Sequence, residues 1–216
     1  TTADARAMAP VASRPGLFWY LPNPVDVAVE VGRADEIPRI DLDYDGVFLG
    51  TDVEGRREQI EALQTGLPPD YRLDLGGRRV AGERMTGPTF MERLARAAVC
   101  PQLPRYDTDP NLIPYLYTSA RIAQTMGQGV VALTPASARF EDLYDDGIVP
   151  FNSRENLVET MLALRADDDR RRRTAERGRI IAHSRTNSTR VARYILDALL
   201  ERTPREPYEW PTTPIV

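Results

Sequence analysis

The sequence predicts an α/β protein built on a doubly wound, five-stranded parallel sheet. Three observations carry that reading. Short unbroken apolar runs, of which Val130-Val131-Ala132-Leu133 is the cleanest, have the character of strands covered on both faces. Segments with helical apolar spacing alternate with those runs, as a wound parallel sheet requires. The stretch from Thr118 to Pro135 shows the repeating unit: a helix whose face carries Ile122, Thr125 and Met126, a stop at Gly127 and Gly129, then the buried strand.

In chain order, residues 1–12 read as a short helix and 16–21 as a strand cut off by Pro22-Asn23-Pro24, where two prolines forbid further pairing. Residues 26–45 are acidic and aperiodic, a connector. The first strand of the main sheet is expected at 47–50. A helix at 54–65 with Ile60 and Leu63 inward follows, then a second strand at 71–75. Pro88 suits the first turn of a helix running to Ala98, and 99–103 forms a third strand in which Pro101 favours an edge position. The loop 104–117 is long and proline-rich, a length that in compact domains goes with function. Ser119 is positioned to cap the next helix. The strand 130–133 is followed by a fifth at 148–151. Asn152-Ser-Arg-Glu155 has capping-box spacing and opens a helix. Two more helices cover about 168–182 and 188–201, and a proline-rich tail, 203–216, lies extended. The Asp167–Arg173 run reads as a solvated helix face. A strand order of 3-2-1-4-5 is expected.

The totals narrow the function. With 216 residues and a net charge of −4, the chain holds one good core and lacks the basic face of a general nucleic-acid binder. All 28 basic residues are Arg, so any bound phosphate must be held by guanidinium, hydroxyl or backbone N–H groups. The single cysteine excludes an internal disulfide and fits a reducing, cytoplasmic setting. No apolar run approaches the roughly 20 residues that span a bilayer.

In such sheets ligands bind beyond the carboxyl ends of the strands, where the winding reverses. That rule gathers Gly50-Thr51, Arg105 with its loop, the helix start Ser119–Arg121 and Thr134-Pro135 on one rim. Arg121 sits in a first helical turn, against the dipole's preference for acids, and a bound anion would remove the conflict. Gln124 lies one turn further along. Arg56 and Arg57, near the start of the 54–65 helix, read as surface charges, with Arg57 retained as a candidate ligand. Asp41-Leu-Asp43 has a metal-type spacing but no further ligands nearby, and His183 has no partner at metal spacing, so no metal site is expected. Cys100 reads as a core thiol.

Several pieces, taken in order, resemble the C-terminal, donor-binding half of a GT-B glycosyltransferase, in the subgroup shared by spore-maturation-type and "glycosyl transferases group 1" proteins. They are Tyr20-Leu-Pro-Asn-Pro-Val-Asp26, Val47-Phe-Leu-Gly-Thr51 before an Arg-bearing helix, Thr118-Ser-Ala-Arg-Ile-Ala-Gln-Thr-Met-Gly-Gln-Gly129, Phe140–Gly147 and Asn152–Leu157. The resemblance covers about residues 16–200. It implies a Rossmann-like domain at 46–202, a remnant of the N-terminal acceptor domain at 1–24 and a connector at 25–45. It also implies a nucleoside-diphosphate sugar as co-substrate, with no other cofactor. The donor would be held by Gly50, Thr51, Arg57, Arg105, Ser119, Arg121 and Gln124, the last standing where the family usually has Glu. The acceptor is unknown, and the catalytic base is expected in the N-terminal domain of the same protein, so this chain alone is not expected to transfer sugar. Two other readings stand beside it: a non-catalytic interaction module on a degenerate transferase fold, and a nucleotide-binding regulator.

Overall fold

The structure, a computed structural model, describes residues 19–50, 56–76, 85, 87–103, 113–117 and 119–212. The expected helix at 1–12 lies outside them. The main elements are β1 (Tyr44–Leu49), α1 (Arg57–Gly66), β2 (Leu73–Gly76), α2 (Pro88–Ala95), β3 (Ala97–Pro101), α3 (Ala120–Gly127), β4 (Val131–Pro135), α4 (Glu141–Tyr144), β5 (Val149–Phe151), α5 (Arg154–Ala166), α6 (Asp168–Arg185) and α7 (Ser188–Leu199). All five strands are parallel, as expected, but their order is β2-β1-β3-β4-β5, not 3-2-1-4-5. The burial of the strands explains the difference. All of β3, Ala-Ala-Val-Cys-Pro, is buried, which suits the centre, whereas β2 alternates buried and half-buried residues along Leu-Asp-Leu-Gly, an edge pattern.

Pro101 therefore stands in the central strand, and it does so at its last residue. The ladder to β1 has its final register pair at Gly46 and Val99, while the ladder to β4 continues through Pro101 opposite Leu133. A missing N–H at that point removes nothing the sheet uses. Alternate residues of β4 feed opposite layers: Val131 and Leu133 join the cluster of Val47, Leu63, Leu94 and Met161, and Ala132 joins that of Ile122, Met126, Phe140 and Ile181.

Other boundaries moved for local reasons. Residues 19–24 form no strand; instead Val25 bridges Asn187, just before α7. The helix from Pro88 stops at Ala95 because β3 begins at Ala97. The capping box slides by one residue: Ser153 accepts from the N–H of Asn156, and the Asn156 side chain accepts from the N–H of Asn152. Gly129, at φ +70°, ends α3 in the left-handed conformation that favours glycine.

The Asp167–Arg173 run is a solvated face only in part: Asp167, Asp169, Arg170 and Arg173 are exposed, while Arg171 and Arg172 turn toward the 34–37 segment. Arg171 is fully buried, donating to the carbonyls of Ala34 (2.7 Å) and Ile37 (2.6 Å) and to Asp168, while Arg172 donates to Asp35 and Glu36 carbonyls. The 34–37 segment makes no sheet ladder, so its carbonyls need donors, and a guanidinium supplies five. The tail also has a defined place. Residues 206–210 fold back on α7, where Arg190 donates to the Pro207 carbonyl (2.7 Å) and lies over the rings of Tyr208 and Trp210.

Candidate functional site

With β1 beside both β2 and β3, the winding reverses between β1 and β3, and the ends of β1, β3 and β4 share one rim. A cleft of about 60 Å³ opens there, lined by Arg56, Gln102, Leu103, Ile113, Tyr117, Ser119, Ile122, Pro135 and Phe140. Gly50 closes β1, its N–H donating to the Gly76 carbonyl at 2.8 Å. A β-carbon on Gly50 would stand 2.9 Å from both Arg121 Nη2 and Phe48 Cζ, so a side chain there would have to displace the Arg121 terminus and the tip of the Phe48 ring.

Arg121 is half-buried in the first turns of α3. Its Nε donates to the Leu49 carbonyl at 3.1 Å, and its guanidinium carbon stands 4.6 Å from the centre of the Phe48 ring. Burial pulls its pKa below the ordinary guanidinium value, with the Cys100 thiol beside it opposing the shift. Among the described residues no carboxylate pairs with it. Arg93, Arg139, Arg165 and Arg190 also lie over aromatic rings, and each of these holds a carboxylate as well.

Arg56 occupies the position before α1. Its guanidinium carbon lies 5.5 Å from the same Phe48 ring, and its Nε donates to the Leu103 carbonyl at 3.1 Å. Arg57, the next residue, is exposed and does not line the cleft. Helical phase separates the two. Arg56 shares a face with buried Ile60 and Leu63, whereas Arg57 shares one with exposed Glu61 and Gln64. That signal was available in the sequence and points to Arg56.

Ser119 lines the cleft at the residue before α3, but its hydroxyl makes no capping hydrogen bond, contrary to the sequence expectation. The extended backbone at Ser119 (φ −108°, ψ 161°) fits a cap, so only the side chain departs from it. Gln124 opens elsewhere, onto a separate groove of about 640 Å³ shared with Val29, Val31, Phe90, Met91 and Gln128. Thr51 and Arg105 lie outside the described residues. The rim thus unites Gly50, Ser119 and Arg121 with Arg56, Phe48 and Gln102, which sequence reasoning left out. Phe48 and Gln102 carried no signal, since an apolar strand residue and a strand-end amide are ordinary.

Asp43 is held by Arg96, and among the described residues no three His, Cys, Asp or Glu side chains gather as a metal site. His183 sets Nε2 3.0 Å from the Gly127 carbonyl. No helix among the described residues is long and apolar enough to cross a membrane.

Fold and rim together define a Rossmann-like α/β domain with guanidinium groups at the carboxyl edge of its sheet. Residues 56–197 match the family model described as glycosyl transferase-like, and the chain belongs to that family. Among solved structures it resembles sucrose-phosphate synthase from Thermosynechococcus elongatus, with TM-score 0.67 and 16% identity over 93% of this chain and 57% of that one. It also resembles HepE from Anabaena in complex with UDP and glucose, with TM-score 0.66 and 12% identity over 93% of this chain and 62% of that one. The chain thus spans about three-fifths of the length of these structures. A comparison with curated proteins finds no match.

Proposed function

We propose that this chain is the donor-binding half of a glycosyltransferase, holding a nucleoside-diphosphate sugar with its diphosphate at the rim between β1 and β3. One observation carries the reading: Arg121 is half-buried and fixed by the Leu49 carbonyl and the Phe48 ring, yet holds no carboxylate among the described residues. A desolvated guanidinium in that state has charge left for a ligand anion. Arg56 adds a second cation facing the cleft, and Ser119 with the start of α3 adds a hydroxyl and the positive end of a helix dipole. Family membership and the likeness to a structure holding UDP and glucose support the same assignment.

The chemistry follows from charge. As the sugar–oxygen bond breaks, negative charge grows on the departing diphosphate. Fixed guanidinium groups stabilise it more than they stabilise the intact donor, which lowers the barrier. The acceptor and the catalytic base belong to an N-terminal domain of the same protein, so this polypeptide alone binds donor without turning it over. The lone Cys100 thiol, buried in β3, suits the cytoplasm. Calorimetry with UDP-, GDP- and dTDP-sugars tests the reading. Micromolar to millimolar binding of at least one, weakened in Arg121→Ala, is expected; no heat with any of them at millimolar concentration overturns it.

A second reading, a non-catalytic interaction module, draws on a different observation. Gln124 faces the apolar groove, and Val29 and Val31 on its wall are 53% and 68% exposed. Under that reading Arg121→Ala leaves partner binding intact while Val29→Asp abolishes it.

A further inference from the structure

The cleft at the rim has apolar walls with a buried amide among them. Leu103, Ile113, Ile122, Pro135 and Phe140 supply the walls, and Gln102, only 6% exposed, stands beside them just past the end of β3. The Gln102 backbone is fixed, since its N–H donates to the Leu133 carbonyl at 2.7 Å. Its side chain donates from Nε2 to Cys100 Sγ at 3.7 Å, a weak acceptor. Oε1 has no partner among the described residues. A buried amide oxygen without a donor carries a desolvation cost that a ligand N–H or O–H removes. The surrounding wall is preformed. Ile113 donates its N–H to Ser137 Oγ and accepts from that hydroxyl at its carbonyl, both at 3.0 Å, and the Leu116 N–H donates to the Ala138 carbonyl at 2.8 Å.

Size and position narrow what enters. A volume of about 60 Å³ takes about four water-sized groups, at roughly 15 Å³ apiece. That is too little for a nucleobase, but it suits the nitrogen, carbonyl carbon, oxygen and methyl of an acetamido group. Arg56 and Ser119, assigned above to the diphosphate, line the same cleft, so the group that enters belongs to the part of the donor attached next to the diphosphate, the sugar. We propose that the cleft is an N-acyl pocket and that the donor is a 2-acetamido sugar: its amide N–H donates to Gln102 Oε1 while its methyl lies among Ile113, Ile122 and Phe140. The proposal rests on the donor-site reading above and narrows it to N-acylated amino sugars. A hydroxyl on the same carbon would also reach Gln102, but it would leave most of the apolar volume unfilled. A free amine would bring a charge into apolar walls.

The test compares donors that differ only at that carbon. The full chain is titrated calorimetrically with UDP, GDP and dTDP, and then with the glycosyl and 2-acetamido-2-deoxyglycosyl esters of whichever binds, in the gluco and galacto series. Expected is a preference of about tenfold for the acetamido ester in at least one series. Gln102→Leu should lose most of that preference, whereas a purely structural role for Gln102 would weaken both esters alike. Should Gln102→Leu not fold, saturation-transfer NMR on the wild-type chain decides: the acetyl methyl must receive more saturation than the sugar ring protons. If a nucleotide binds but glycosyl and acetamido esters bind equally, or the methyl shows no excess saturation, the N-acyl pocket is overturned alone. If none of the three nucleotides binds the wild-type chain, the donor-site reading falls and this proposal with it.

Discussion

The guanidinium of Arg121 occupies the space that a side chain on Gly50 would need: Nη2 lies 2.9 Å from the site of the absent β-carbon. Phe48 Cζ presses on the same point. Gly50→Ala must therefore displace one or both, since contacts that short do not persist. The expected outcome is a stability loss of about 1–3 kcal/mol, as for other overpacked sites. A loss of nucleotide affinity larger than that of a surface control should accompany it. Thermal melts and calorimetry on one preparation measure the two.

Arg56 and Arg57 are adjacent in sequence and opposite in setting. Arg56→Ala removes a guanidinium from the wall of the cleft and should weaken nucleotide binding by about tenfold, the value of a charge-assisted contact. Arg57→Ala removes an exposed side chain and should leave affinity within about twofold. Equal effects in the two variants would move the diphosphate away from this cleft.

Acid should unfold the protein through Asp45. Burial opposes ionisation of this carboxyl, but hydrogen bonds from the Arg72 side chain and N–H and from Arg39 outweigh it and hold the pKa below the usual carboxylate value. The folded pKa is thus lower than the unfolded one, near 4. The stabilisation is complete above that value and is lost as pH falls through the folded pKa. Melting temperature should drop below about pH 4, and Asp45→Asn should flatten that acid limb. The variant should also cost about 3 kcal/mol at neutral pH, at the low end for breaking a buried pair because Arg39 and Arg72 still reach solvent.

Gly178 in α6 meets the backbone of Gly147 where the helix crosses the turn before β5. Alanine would gain about 1 kcal/mol of helix propensity. A peptide carbonyl cannot rotate away as a flexible side chain can, so the clash should win. Gly178→Ala is expected to destabilise by about 1–3 kcal/mol in chemical denaturation; a stabilised variant would contradict this packing.

Arg190 fastens the tail. Trp210 is buried at 3% exposure, beneath a guanidinium that also reaches Pro207 and Glu209. In a Trp19→Phe background, Arg190→Ala should shift Trp210 emission to the red and expose residues 203–212 to protease. An unshifted spectrum would mean that the aromatic stacking of Tyr194, Tyr208 and Trp210 is sufficient without the cation.

The sequence alone determined the parallel α/β class, the five main strands and the helices between them, because apolar runs and 3.6-residue spacing record burial residue by residue. It placed Gly50, Ser119 and Arg121 on one rim through the rule for carboxyl edges, and family likeness agreed with what the rim suggested. Tertiary structure alone decided the strand order, since pairing partners are chosen by burial on both faces at once and not by position in the chain. It likewise decided that Arg171 lies inside. It set Phe48 under two guanidiniums and turned Gln124 toward another groove. Each of these depends on which groups from distant segments share a volume, and an arginine reads the same in sequence whether its partner is water, a carbonyl, a carboxylate or a ring.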